Sequence, residues 1–276
     1  MTFNRIKFFA TASLFAVVFV TGCQKPDYPA AVPATTGAVA SARALFVNAS
    51  PNSPALTFLV ENQAVAQNLG LGQSSPYVAI PTGNVQFRAR AGSGSIGGIL
   101  GSRDILFRAG ATNQTNFGSV SGTNYTVFVT DTIQRPAPTT PAGATNPGGP
   151  QFLIVTDVLS QTLAANASGV RFFHLASDGS AVSVRLSVPT SATGVPATVT
   201  SFLNRAYRNT ATATFTSVPA GTYRVDVFAG AIIPTVATIA PVLSTTVTVE
   251  ATKLYTVFAQ GLLRTRTLGV GRVQHN

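Results

Sequence analysis

The sequence predicts an all-β protein made of two tandem β-sandwich modules. Three observations carry this expectation. From residue 43 onward, short β-branched and aromatic runs are separated by clusters of Gly, Pro, Asn and Ser. The same runs occur twice, in the same order. Only 9% of the 276 residues are charged, against about 25% in an average soluble protein. With 45% hydrophobic residues, 18 Phe and 6 Tyr, that scarcity excludes charge-driven disorder and heptad coiled coils. A single cysteine excludes a disulfide scaffold.

The chain opens with Arg5 and Lys7, then the apolar run Phe8 to Val20. This run is shorter than the roughly 20 residues that cross a bilayer and has the length of a signal-peptide core. It ends in Val20-Thr21-Gly22-Cys23, which resembles the bacterial lipobox. The resemblance implies cleavage before Cys23 and acylation of its thiol and new amine. Several acyl chains anchor stably where one is marginal. Residues 1–22 are therefore expected to be a lipoprotein signal peptide, and 23–42 the lipidated Cys and a Pro/Ala/Thr-rich tether. As a coil such a tether reaches roughly 25 Å. Gln24 rather than Asp after the cysteine points, by the enterobacterial sorting rule, to the outer membrane, on either face.

Within the modules, Val85, Phe87, Ala89 and Ala91 alternate with Gln86, Arg88 and Arg90, and Tyr223, Val225 and Val227 alternate with Arg224 and Asp226. This period of two predicts strands with one buried and one wet face. The repeat is traceable residue by residue. Ala44–Leu56 aligns with Val170–Val182 at an offset of 126, Tyr77–Val85 with Phe215–Tyr223, and Tyr125–Val129 with Tyr255–Ala259. Each copy then closes with an apolar run, Phe152–Val155 or Leu268–Val270. Ile80-Pro81-Thr82-Gly83 and Val218-Pro219-Ala220-Gly221 predict type I turns closed by a Gly bulge. The first module is expected over 43–162 and the second over 163–276. The Pro/Gly-rich tract 133–150 resembles an interdomain linker in composition, yet it falls between two strands of copy one. It is read as a hairpin loop of the first module.

The pieces Asn48-Ala49-Ser50-Pro51-Asn52-Ser53-Pro54-Ala55, Pro219-Ala220-Gly221-Thr222-Tyr223 and the two Tyr-Thr-Val-Phe runs resemble the DUF4397 domain, over roughly 43–276. The second copy has lost both prolines of the first piece, at His174 to Ala181, and the first copy reads Pro-Thr-Gly-Asn-Val at 81–85. The resemblance implies immunoglobulin-like sandwiches in a bacterial envelope protein. It implies no reaction.

Residues able to do chemistry are few. His174 aligns with Asn48 at a strand end, where a polar side chain can hydrogen-bond the following turn. His275 is read as solvated, and two distant histidines do not make a zinc site. The acids Glu61, Asp104, Asp131, Asp157, Asp178, Asp226 and Glu250 are dispersed and read as surface residues. Gly92-Ser93-Gly94-Ser95-Ile96-Gly97 has dinucleotide-loop spacing but leads into Gly98-Ile99-Leu100-Gly101, a poor helix start. No cofactor or metal is expected. The first module carries six Arg against four acids, net +2; the second nine basic residues against three acids, net +6. Arg264, Arg266 and Arg272 are the expected contacts for any anionic partner. Nucleic acid would need clustered cations with interleaved stacking aromatics, and the envelope is the wrong place for it.

The expectation is thus a non-catalytic envelope lipoprotein, held to the membrane by its lipid anchor, that engages a protein or glycan or has a structural role. Two alternatives are a hydrolase on a sandwich scaffold, which needs converging acids, and a binder of anionic envelope polymers through the second module.

Overall fold

The computed structural model describes residues 41–92, 104–108, 115–136, 148–189, 197–211, 213–234, 239–265 and 267–276. Among the described residues there are strands and turns, and no helix. The signal peptide, lipobox and tether, most of the tract 133–150 and the Gly-rich stretch from Ser93 onward lie outside them.

The first nine strands are β1 Ser41–Asn48, β2 Leu56–Val60, β3 Gln63–Leu69, β4 Val78–Pro81, β5 Gly83–Ala91, β6 Asp104–Leu106, β7 Asn116–Ser119, β8 Asn124–Thr130 and β9 Gln151–Asp157. They make one sheet ordered β4-β1-β8-β9 and a second ordered β3-β2-β5-β6, with β7 also on β5. The remaining strands are β10 Ala167–His174, β11 Val182–Ser187, β12 Thr198–Arg205, β13 Thr216–Pro219, β14 Gly221–Ala229, β15 Leu243–Val249, β16 Leu254–Leu262 and β17 Thr267–Gln274. They make sheets β13-β10-β16-β17 and β12-β11-β14-β15. The two arrangements match strand for strand, save that β15 stands where copy one has β6 and β7.

The pairing register repeats as well. Ala44 lies opposite Val78 and Tyr125, and Val170 lies opposite Thr216 and Tyr255. In both copies the first strand runs parallel to the Tyr-Thr-Val-Phe strand. Tyr125 and Tyr255 each accept a bond at the hydroxyl from an amide five residues earlier, Val120 N at 3.0 Å and Glu250 N at 3.3 Å. This resembles a tyrosine corner. β8 and β9 are antiparallel neighbours, so the tract 133–150 connects two strands of one sheet. Its base is closed by Arg135 Nε donating to Gly149 O at 2.6 Å.

The Pro-x-Gly turns differ from expectation. β4 pairs with β1 while β5 pairs with β2, and β13 and β14 divide in the same way. Each Pro-x-Gly is therefore a corner that carries the chain from one sheet to the other, not a hairpin turn. Gly83 takes φ 90° there, which favours glycine.

Among the described residues three apolar layers separate four sheets. Phe46, Phe58, Phe87 and Val127 fill the first sandwich, and Phe172, Val184, Val225 and Val257 the second. The third layer contains Leu45, Val47, Ala49, Phe128 and Val155 of the first copy with Phe173, Leu175, Phe258 and Val273 of the second. The order is thus β3-β2-β5-β6, β4-β1-β8-β9, β13-β10-β16-β17, β12-β11-β14-β15. Face-to-face spacings near 10 Å put the outermost sheets about 30 Å apart. The predicted apolar residues of β5 and β14 point inward, although on β14 Asp226 of the opposite face is buried as well. The alternation fails on β10, where all eight residues are buried. Both faces of the inner sheets are covered, because the modules pack against each other. Ala40–Asn276 is consequently one compact unit.

Candidate functional site at the junction of the modules

The third layer is built by self-matching. Register places Val47 with Phe173, Ala49 with Leu175, Phe128 with Phe258, and Val155 with Val273 as counterparts. Phe128 and Phe258 touch each other edge-on at 5.5 Å between centroids. Asp157 and His275 are also counterparts, with Asp157 opposite Asn124 and His275 bonded to the equivalent Leu254. They approach to 4.0 Å. Counterpart touching counterpart is the signature of an isologous contact, here inside one chain.

At one edge of this layer lies a closed polar ring. Arg171 Nε donates to Thr256 Oγ1 at 2.7 Å. Thr256 Oγ1 donates to His275 Nε2 at 2.6 Å. His275 Nδ1 donates to the Tyr77 hydroxyl at 2.7 Å. Tyr77 donates to Asp157 Oδ2 at 2.6 Å, beside Thr126 Oγ1 at 2.7 Å. Arg171 Nη2 closes the circuit on Asp157 Oδ1. Only the Nδ1-protonated, neutral imidazole gives each of these hydrogens its own acceptor. The Arg171 and Asp157 side chains are fully buried, and the guanidinium stacks on Phe215 at 4.5 Å. Burial, and then the Arg171 charge, push the His275 imidazole down to about 3. Burial, and then the Asp157 charge, hold the Tyr77 phenol well above its usual range.

Beside the ring opens a groove of about 490 Å³. Leu45, Pro76, Tyr77 and Leu159 form apolar walls, Gln274, His275 and Asn276 lie along one side, and Arg43 stands at the rim. The Arg43 guanidinium lies over the Tyr77 ring at 5.6 Å and has no hydrogen-bond or ion-pair partner among the described residues.

The residues expected to matter fall elsewhere. Cys23 and Val20, Thr21 and Gly22 lie outside the described residues, as does Arg266. Arg264 is exposed in the β16–β17 turn. Arg272 is on β17, bonded to Thr248 O and lying over Tyr255 at 5.2 Å. Five strand positions separate Arg272 from that end of β17, roughly 17 Å, so these two arginines do not converge. His174 Nε2 lies 3.1 Å from Ser180 O, across the turn that follows its strand.

Four expectations are corrected. Asp131, read as a surface acid, is 8% exposed and pairs with Arg135. His275 is 5% exposed rather than solvated, because the second module's last strand packs against the first module. Asp157 is a buried ion-pair partner, not a surface acid. Asp226 does point outward from its sheet but is fully covered by Arg185 at 2.9 Å and Arg224 at 2.8 Å. Sequence alone does not reveal the ring, because nothing near Arg171 in the chain marks its strand position as buried. The available signal was its alignment with Leu45, a cation facing an apolar counterpart.

Fold and junction together define an all-β, tandem-sandwich class of protein. Residues 42–185 match the family described as a domain of unknown function, DUF4397, and the chain belongs to that family. The match runs through the first sandwich and into β11, a shorter span than the sequence repeat suggested. No curated protein matches the chain.

Proposed function

We propose that this chain is a non-catalytic bacterial envelope lipoprotein, anchored through Cys23, whose two sandwiches act as one rigid module for binding or support. The observation that carries this reading is the commitment of six of the seven module carboxylates to structure. Asp104 pairs with Arg88 and Arg90, Asp131 with Arg135, Asp157 with Arg171, and Asp226 with Arg185 and Arg224. Asp178 Oδ1 accepts the amides of Leu263 and Arg264, and Glu61 that of Gln86. A hydrolase would need acids converging on a cleft; these are spread over separate sheets and loops. Among the described residues no cluster of three metal-ligating side chains occurs.

Two measurements test the reading. Labelled fatty acid should enter the full chain and be lost in Cys23→Ala, with the protein leaving the outer-membrane fraction. The tagged chain, cross-linked and purified from its own envelope, should retain a defined protein or glycan if the role is binding, and none if it is purely structural. Unlabelled, soluble wild-type protein would refute the anchor.

A further inference from the structure

The junction is self-matching except at one place. Val47, Phe128 and Val155 face apolar counterparts, but Arg43 corresponds to Gly169, Leu45 to Arg171, Tyr77 to Phe215 and His275 to Asp157. The consequences differ on the two sides. Around Gly169 the space is filled: an added Cβ would meet Leu254 Cδ2 at 2.4 Å and Phe215 Cβ at 3.2 Å. Arg171 turns inward there and is wholly consumed by Asp157, Thr256 and the Ala213 carbonyl. On the other side the short Leu45 leaves the groove open, and the free Arg43 stands over it. The two copies have thus diverged where a pseudo-symmetric contact would otherwise close, one half into a lock and the other into a pocket.

We propose that this groove binds a small organic carboxylate with an apolar body. The carboxylate takes the Arg43 guanidinium, whose N–H groups have no acceptor within the described chain. The body lies against Leu45, Pro76, Leu159 and the Tyr77 ring. Ligand sites favour module junctions of this kind. Two features preorganise it. The Tyr77 ring is fixed by its hydroxyl in the buried ring, and the neutral His275 adds no competing cation. Among the described residues Arg43 is the one Lys or Arg that lines the groove, with Gln274 and Asn276 as polar neighbours, so a single anionic group is its matching charge. The assignment deepens the non-catalytic binding reading, and it is independent of lipidation and of any envelope partner.

The test is calorimetric titration of the full chain with phenylacetate and with 2-phenylethanol, its neutral analogue. Phenylacetate should bind at least tenfold more tightly. Arg43→Gln, at an exposed position and with an unchanged melting temperature, should abolish that preference; Arg264→Gln should not. Equal binding of both probes, unaltered binding to Arg43→Gln, or no binding of phenylacetate overturns the proposal. Binding that appears only after residues 24–39 are deleted would also overturn it, and would give the groove to the chain's own segment. Because envelope partners are read separately, failure here is distinguishable from failure of the envelope role.

Discussion

Asp157 and His275 occupy the same place in the two copies, yet one is a carboxylate paired with Arg171 and the other a neutral imidazole. Their difference makes the ring closed and electrically balanced. Two consequences follow at this scale. Arg171→Met leaves the Asp157 charge buried and alone, and should cost about 3–5 kcal/mol in denaturant unfolding. His275 sets a pH dependence. Its folded value, about 3, lies below the roughly 6.5 of an unfolded histidine. Between these values the unfolded chain binds a proton that the native state refuses. Stability is therefore complete above about pH 6.5 and falls below it by about 1.4 kcal/mol per pH unit. Chemical denaturation at pH 6.5 and pH 5 should differ by about 1.6 kcal/mol from this residue. His174 is displaced in the same direction by burial, so the difference between wild type and His275→Gln isolates His275. Parallel pH profiles for the two proteins would refute the buried neutral imidazole.

Among the elements, β17 shows how a strand is shaped by what covers it. Gly271 lies opposite Phe258, and a Cβ at that position would meet ring carbons at 2.2 and 2.4 Å. Its counterpart in β9 is Leu153, opposite Phe128. The bare strand leaves room for the Phe258 ring, which reaches Phe128 across the junction. Gly271→Ala should therefore displace that ring and destabilise by about 1–3 kcal/mol. Gly118→Ala, with nothing within 4 Å of its Cβ, should be near neutral. Equal melting temperatures for both variants would refute the packing account. At the same scale, the Pro-x-Gly pieces show why local chemistry underdetermines pairing. The residues specify a sharp change of direction, and only the partners β1 and β2 decide that it changes sheets.

For the whole molecule, the apolar layer between the copies decides the mechanics. Tandem domains joined by a tether usually unfold independently, and two-state behaviour fails for them. Here nine buried apolar residues from both copies share one layer, sealed at its edge by a buried ion pair. Calorimetry of the full chain should show one cooperative transition. Phe128→Ala, which opens a cavity at the centre of that layer, should lower the melting temperature and split the transition in two. Two separate transitions in the wild type would mean that the layer does not couple the sandwiches.

The sequence by itself determined the all-β class, the order of the runs and their repetition. Those properties are local: strand alternation, turn residues and self-similarity are written within a few residues of each other. It also carried the family, because Asn48 to Ala55 and the Tyr-Thr-Val-Phe runs are short contiguous motifs. Tertiary structure alone decided which outward faces are wet. Arg171, Asp157 and His275 each look like solvent-facing residues until the second sandwich covers them, and they meet across 14 to 198 residues of chain with Tyr77. A side chain's burial depends on what packs over it, and no local pattern encodes that partner. The junction ring and the open groove beside it are therefore products of docking the two sandwiches, whose facing sheets meet through apolar side chains.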